Sequence, residues 1–202
     1  MSAAGRVCTG FSKPWIALYS NTGSNVSYSG QMEFARGVDV EIAPNDVSDD
    51  NIFYANNQAA ENVPGKFTGG ALNLTVDGLI DEAEKMAYGL PTPENITVNS
   101  TTVGVTHYGD SAEAPYLGFG FVARYMSDGN ESYVGYVLPK IRFKPHNTSA
   151  ATQAEEIEWQ TQSLEAAIFR SDNANHDWKW ITAEVSTEAL AEEAVKKLLG
   201  ST

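Results

Sequence analysis

The amino-acid sequence predicts a mainly β fold of the α+β class. Many of its apolar residues alternate with polar ones, as they do in strands that bury one face. A strong hairpin signal, Asp128–Gly129, joins two long segments of this kind. Only two stretches instead repeat their apolar residues with the period of a helix. The length of 202 residues suits one β-rich core, so we predict a single domain over residues 1–202.

The first half of the chain contains four candidate strands. The clearest is the segment 37–42, in which Val and Ile alternate with the acids Asp39 and Glu41. The other three are residues 15–19, 51–55 and 71–76. Asn56 and Asn57 form a predicted turn after the second of these, and the Ser/Asn/Gly-rich stretch 20–30 is predicted to be a loop.

Two amphipathic helices are predicted. The first begins after a cap at Asp77, runs through residues 78–88 and ends at Gly89. The second begins after a cap at Ser186, continues to about residue 199 and ends before Gly200. Its buried face is predicted to contain Leu190, Ala191, Ala194, Val195 and Leu198.

The second half of the chain is predicted to contain three long antiparallel strands. Residues 116–126 and 133–144 form the hairpin, and residues 155–169 return beside its second strand. In the predicted register, Ile141 faces Trp159 in the core. Glycines 118 and 120 lie within the first strand, which predicts a close approach of a neighbouring chain or helix.

The same register predicts a ladder of opposite charges on the other face of this pair. Its basic side consists of Lys140, Arg142 and Lys144, and its acidic side of Glu156 and Glu158. Lys144 then faces Glu156, and Arg142 faces Glu158. The acidic strand can therefore be half of a solvated charge ladder, without a further function.

The composition is acidic and excludes several classes of protein. The chain has 26 Asp and Glu against 13 Lys and Arg, which gives a formal net charge of −13 and argues against a basic DNA-reading module. Cys8 is the only cysteine, so an intrachain disulfide is excluded and a reducing compartment is expected. We recognise no signal peptide and no apolar run of about 20 residues, and therefore expect a cytoplasmic protein without a membrane partner.

The sequence offers no convincing catalytic or metal-binding motif. His107, His146 and His176 are isolated, without the spacing of a zinc site, and we expect them to be exposed loop histidines. The acidic stretch 45–51 lacks the Gly and Glu of an EF-hand loop. We therefore predict that the protein is not an enzyme and has no catalytic residues, cofactor or metal.

The order of elements over residues 51–90 resembles the major tail proteins, also called tail-tube proteins, of long-tailed bacteriophages. The motifs that carry this resemblance are FYANN at 53–57, GGA at 69–71 and YGL at 88–90. Residues 138–169 look like the paired late strands of that family, followed by its Trp-bearing segment and C-terminal helix. One departure is Asn where the family has Asp, at Asn56 or Asn57.

The resemblance implies a β-sandwich or β-barrel with a flanking helix and a C-terminal helix at about 186–199, assembling into hexameric rings. Inner strands of each ring would form a continuous barrel around a lumen, and stacked rings would form the tail tube. An N-terminal arm at about 1–14 and long loops would join the rings, with candidate loops at 20–30, 45–70 and 99–115.

The resemblance also implies the partners of the protein. These are further copies of the chain and the tape-measure, distal-tail and tail-terminator proteins, in a virion tail that is assembled in the host cytoplasm. Viral DNA would pass through the tube without specific binding.

The resemblance gives the acidic strands a function, because DNA that slides through a pore must not adhere to its wall. Asp39 and Glu41 are the first candidates for lumen-lining residues, since no basic strand is predicted beside them. Glu156 and Glu158 are the second candidates. The competing hypothesis is a glycan-binding β-sandwich module that uses its aromatic residues as stacking platforms.

Overall fold

The computed structural model describes residues 5–45, 51–63, 65–110, 112–152 and 159–200. The predicted mainly β class is confirmed. The strands are β1 (Val7–Thr22), β2 (Asn25–Glu33), β3 (Ala35–Pro44), β4 (Asn51–Ala55), β5 (Gln58–Val63), β6 (Gly70–Leu79), β7 (Glu94–Val98), β8 (Thr101–Val105), β9 (Leu117–Ser127), β10 (Asn130–Phe143), β11 (Gln162–Ile168) and β12 (Trp180–Ile181). The helices are α1 (Asp81–Tyr88) and α2 (Glu188–Leu198).

A curled antiparallel sheet forms the body of the protein. Its strands follow the order β2-β1-β9-β10-β11-β6-β3, and β12 pairs with β10. The chain between β2 and β3 returns to β1, because the N–H of Phe34 donates to the carbonyl of Pro14 at 2.8 Å. Gly37 of β3 lies against the ring of Phe11 of β1. The sheet is therefore curled, so that β3 at one end contacts β1 near the other.

The inward side chains of this sheet form the main hydrophobic core. Phe34, Leu72, Phe119 and Ile141 are completely buried there, and α1 adds the buried Tyr88. Burial of an apolar side chain of this size stabilises the fold by about 1.5–3 kcal/mol. The prediction that Ile141 lies in the core is confirmed.

Helix α2 packs on the outer surface of the same sheet. Val195 is completely buried, and a Cβ atom at Gly120 or Gly135 would lie 2.5 or 2.7 Å from its methyl carbons. The predicted close approach to Gly120 is thus confirmed, and the approaching element is a helix. The predicted helix face was partly wrong, because Leu190 and Leu198 are exposed and Leu199 is buried instead.

The predicted starts of both helices were wrong. Strand β6 continues to Leu79, and the carboxylate of Asp77 accepts hydrogen bonds from the backbone N–H and the guanidinium of Arg36. Asp77 therefore holds two strands together and caps no helix. At α2 the cap is Thr187, whose hydroxyl accepts from the N–H of Leu190 at 3.4 Å, and not Ser186. Gly89 ends α1 in the left-handed conformation, as predicted.

The predicted register of the late strands was also wrong. Ile141 faces Ile168, and Phe143 faces Ala166. A third strand, β6, explains the difference, because pairing with it places Leu164 and Ala166 beside Leu74 and Leu72 in the core. Trp159 precedes β11 and is 87% exposed. Glu156 and Glu158 lie outside the described residues.

Several predicted loops contain strands. Residues 20–30 belong to the β1–β2 hairpin, which turns at Gly23 with a φ of 62°. Residues 7–14 of the predicted N-terminal arm belong to β1, most of whose residues pair with β9. The candidate loops 45–70 and 99–115 contain β4, β5 and β8. The β4–β5 and β7–β8 hairpins form small sheets that are separate from the main one.

Candidate functional site

Strands β3, β6 and β11 present a polar outer face. Asp39 lies beside Thr75, which lies beside Ser163. One row further along, Glu41 lies beside Asn73, which lies beside Glu165. The alternation of the three strands points their apolar residues into the core and leaves these polar residues outside. Asp39 and Glu41 are both exposed on this face.

Some acidic side chains of this face form ion pairs with a cationic side chain, and others do not. Glu165 forms an ion pair with Lys144, and Asp77 forms one with Arg36. Glu41 accepts a hydrogen bond from Nδ2 of Asn73 at 2.9 Å. In the part of the chain that the structure describes, neither Asp39 nor Glu41 has an ion-pair partner. The face is therefore most strongly anionic along β3.

The sequence could not identify all residues of this face. Asn73 and Glu165 join Glu41 there, although they are distant from it in the chain. Each belongs to a strand with clear alternation, but only the tertiary pairing shows that they share a row. The predicted inward position of Val38 was wrong, since it is 55% exposed. A register irregularity at Gly37 disturbs the alternation there.

Two of the three basic residues of β10 are neutralised by carboxylates that the sequence did not predict. Lys144 pairs with Glu165, and Nζ of Lys140 lies 2.7 Å from Oδ2 of Asp172. Hydrogen bonds from Lys140 and from Tyr19 hold the pKa of Asp172 below its ordinary value. The strand pairing places Glu165 beside Lys144, and Glu156, its predicted partner, lies outside the described residues.

Arg142, the third basic residue of this strand, has a different environment. Its guanidinium carbon lies 4.1 Å from the centroid of the Tyr116 ring, within the range of a cation–π interaction. Among the described residues it has no carboxylate partner. Its predicted partner, Glu158, lies outside them.

The two separate hairpins expose apolar side chains to solvent. In the β4–β5 hairpin, Phe53 and Tyr54 are each 63% exposed. In the β7–β8 hairpin, Ile96, Val98 and Val103 are more than two-fifths exposed. Clusters of exposed apolar side chains mark surfaces that contact another molecule. Both hairpins are therefore candidate assembly surfaces.

The described residues contain no group of three His, Cys, Asp or Glu that could hold a metal ion. His107 is exposed beside Glu94, and His176 is exposed, as predicted for loop histidines. His146 contradicts that prediction: its side chain is 8% exposed, and its ring lies 4.9 Å from the ring of Tyr88. Within the same described ranges, neither helix has the length and apolar character needed to span a bilayer.

No protein-family model matches the chain, and a comparison with curated proteins finds no significant match. The functional assignment therefore depends on the surfaces of the molecule and on the order of its elements.

Proposed function

We propose that this chain is a structural tail-tube protein of a long-tailed bacteriophage, which forms stacked hexameric rings. The rings enclose the conduit through which the genome is ejected into the host. The observation that carries this proposal is the anionic face along β3, where Asp39 and Glu41 are exposed without a cationic partner in the described part of the chain. The order of elements from residue 51 to the C-terminal helix supports it.

The anionic face suits a wall along which DNA must slide. Phosphates bind Lys and Arg strongly and without regard to sequence, so cations on the wall would retain the genome. Electrostatic forces are screened over about 8 Å at physiological salt, so only charges on the wall itself affect the DNA. Among the described residues Asp39 and Glu41 have no ion-pair partner on this face, whereas Glu165 and Asp77 are offset by Lys144 and Arg36.

The exposed hairpins support assembly of many copies. Phe53 and Tyr54 gain little stabilisation in a single chain, because they remain largely in water. A contact between one surface of a subunit and a different surface of the next repeats around a ring or along an axis. Hairpins that project from a closed core provide such a surface.

Electron microscopy of the purified protein tests this function. We expect negative-stain images to show sixfold rings or hollow striated tubes, and sedimentation to show large species. The alternative is a glycan-binding module, for which the exposed aromatic rings of Phe53, Tyr54, Tyr108 and Trp159 would be the stacking platforms. A protein that stays monomeric at high concentration and binds immobilised glycans would overturn the tail-tube proposal.

Charge reversal tests the lumen face. We expect Asp39→Lys with Glu41→Lys to slow genome ejection from particles whose tubes are intact, because DNA would adhere to the added cations. A matched control reverses the exposed Glu82 and Glu193, which changes the net charge equally at sites on the two helices. Normal ejection by the β3 variant would remove this strand from the lumen. The same reversal at Glu156 and Glu158 tests the second candidate pair.

A further inference from the structure

A cavity of about 490 Å³ lies beside α1. Tyr88, Leu90 and Phe143 form part of its wall, and the loop residues Tyr108 and His146 complete one side. This volume lies within the range of sites that hold small ligands or inserted side chains, about 300–1,000 Å³. The proposed function makes no use of this cavity.

Two buried hydrogen-bond donors in the cavity wall have no partner. Tyr88 is 5% exposed, and its hydroxyl makes no hydrogen bond with the described residues. Nε of Arg142 is buried and likewise unpaired. Burial, with a smaller contribution from Glu84, raises the pKa of Tyr88, so its hydroxyl stays protonated at neutral pH. Buried donors almost always have acceptors, so the acceptor of these two is missing from the described part of the chain.

The other ionisable groups of the cavity show which charge that acceptor should carry. Glu84 accepts a hydrogen bond from the Tyr108 hydroxyl at 2.7 Å and lies 3.6 Å from Nε2 of His146. Glu113 is exposed to solvent. Arg142 has no carboxylate within ion-pair distance in the part of the chain that is described. Of the two unpaired donors only Arg142 is charged, and its positive charge suits a carboxylate.

The β4–β5 hairpin has a face that matches this cavity. Phe53 and Glu61 are directly opposite each other on its two strands, so their side chains project from the same face. Phe53 is 63% exposed, and Glu61 is exposed beside it. This face combines an aromatic ring with a carboxylate, whereas the cavity combines apolar walls with two unpaired donors. None of the hairpin residues 51–63 lines the cavity of their own chain.

We propose that this cavity receives Phe53 and Glu61 of a second copy of the chain. The Phe53 ring packs against the apolar wall, the Tyr88 and Arg142 side chains turn towards the cavity, and the Glu61 carboxylate accepts hydrogen bonds from the Tyr88 hydroxyl and Nε–H of Arg142. This inference rests on the self-assembly contained in the proposed function. Because hairpin and cavity are different surfaces, the contact is heterologous and extends from subunit to subunit, as a ring or tube requires.

The variant Tyr88→Phe should weaken this contact without lowering the stability of the monomer. Removing a hydroxyl that has no partner should leave the melting temperature of the monomer unchanged or raise it. The same variant should raise the concentration needed for self-association by about tenfold, as measured by sedimentation velocity, because an intersubunit hydrogen bond to a charged group is lost. Glu61→Gln should have a similar effect. Glu193→Gln, at an exposed position of α2, is the control and should have none.

Charge exchange gives a second test. Glu61→Arg and Arg142→Glu should each impair self-association, and the chain that carries both should recover it. Tubes that form with unchanged concentration dependence in Tyr88→Phe and Glu61→Gln would overturn this contact and leave the tail-tube function standing. Self-association that depends on both residues but gives no hollow tubes would support the contact and contradict the function. A wild-type chain that stays monomeric at every concentration would overturn both.

Discussion

The β9–β10 and β4–β5 hairpins have the same local design and opposite environments. Each turns through two residues with positive φ, Asp128–Gly129 in the first and Asn56–Asn57 in the second. Residues 117–123 of β9 are all buried, because the core covers one face and α2 the other. In β4 the described side chains are all exposed.

This difference shows that local sequence forms both hairpins but only tertiary contacts stabilise the first. Asn and Asp-Gly turns suit the twist of antiparallel strands wherever they occur. An isolated two-stranded hairpin is marginally stable in water, so a contact with a second copy would stabilise the apolar residues of β4. The proposed assembly surfaces thus lie where the protein's own core ends.

Replacing one phenylalanine in each hairpin tests this comparison with the largest expected effect. Phe119→Ala should lower the free energy of unfolding by about 3–5 kcal/mol, because the ring is completely buried in β9. Phe53→Ala should change it by less than about 1 kcal/mol, since that ring is mostly in water. Urea denaturation of the monomer measures both. Equal losses in the two variants would mean that β4 is buried within its own chain.

Helix α2 covers the outer face of the β9–β10 hairpin, and a replacement in this helix has an intermediate expected effect on stability. Val195→Ala should destabilise the monomer by about 1.5–2 kcal/mol, because two methyl groups leave the buried contact with Gly120 and Gly135. Leu190→Ala, at a residue of α2 that is half exposed, is the matched control and should have little effect. Thermal unfolding of both variants checks the packing face of α2. A loss of similar size in Leu190→Ala would restore the face that the sequence predicted, which contains both residues.

The sequence predicted features that depend on neighbouring residues. The Asp128–Gly129 turn, the Gly89 end of α1 and the alternation from Asp39 to Ile42 are of this kind, and each is present in the structure. Features that depend on a third element were predicted poorly. The register of β10 with β11 is set in part by β6, and Asp77 bonds Arg36 of β3, which a pattern within β6 cannot show.

The residues of the candidate site also fall into those that a local pattern predicts and those that only tertiary contacts reveal. The exposed acids Asp39 and Glu41 could be named from alternation alone, because a strand with one buried face exposes the other. The carboxylates that neutralise Lys140 and Lys144, namely Asp172 and Glu165, come from segments that only tertiary pairing brings close. The unpaired donors Tyr88 and Arg142 have no signal in the sequence, since an unsatisfied hydrogen bond is a property of the folded chain.

Trp159 gives the smallest expected effect and the clearest check of the strand register. The sequence predicts it in the core opposite Ile141, where its replacement by Ala would cost about 3–5 kcal/mol. In the structure Ile168 occupies that position, and Trp159 is 87% exposed before β11 begins. Trp159→Ala should therefore change the stability of the monomer by less than about 0.5 kcal/mol. Ile168→Ala should cost about 2–5 kcal/mol in the same urea titration, because its completely enclosed side chain would leave a cavity. The reverse order of the two losses would move Trp159 into the core and shift the register of β11 against β10.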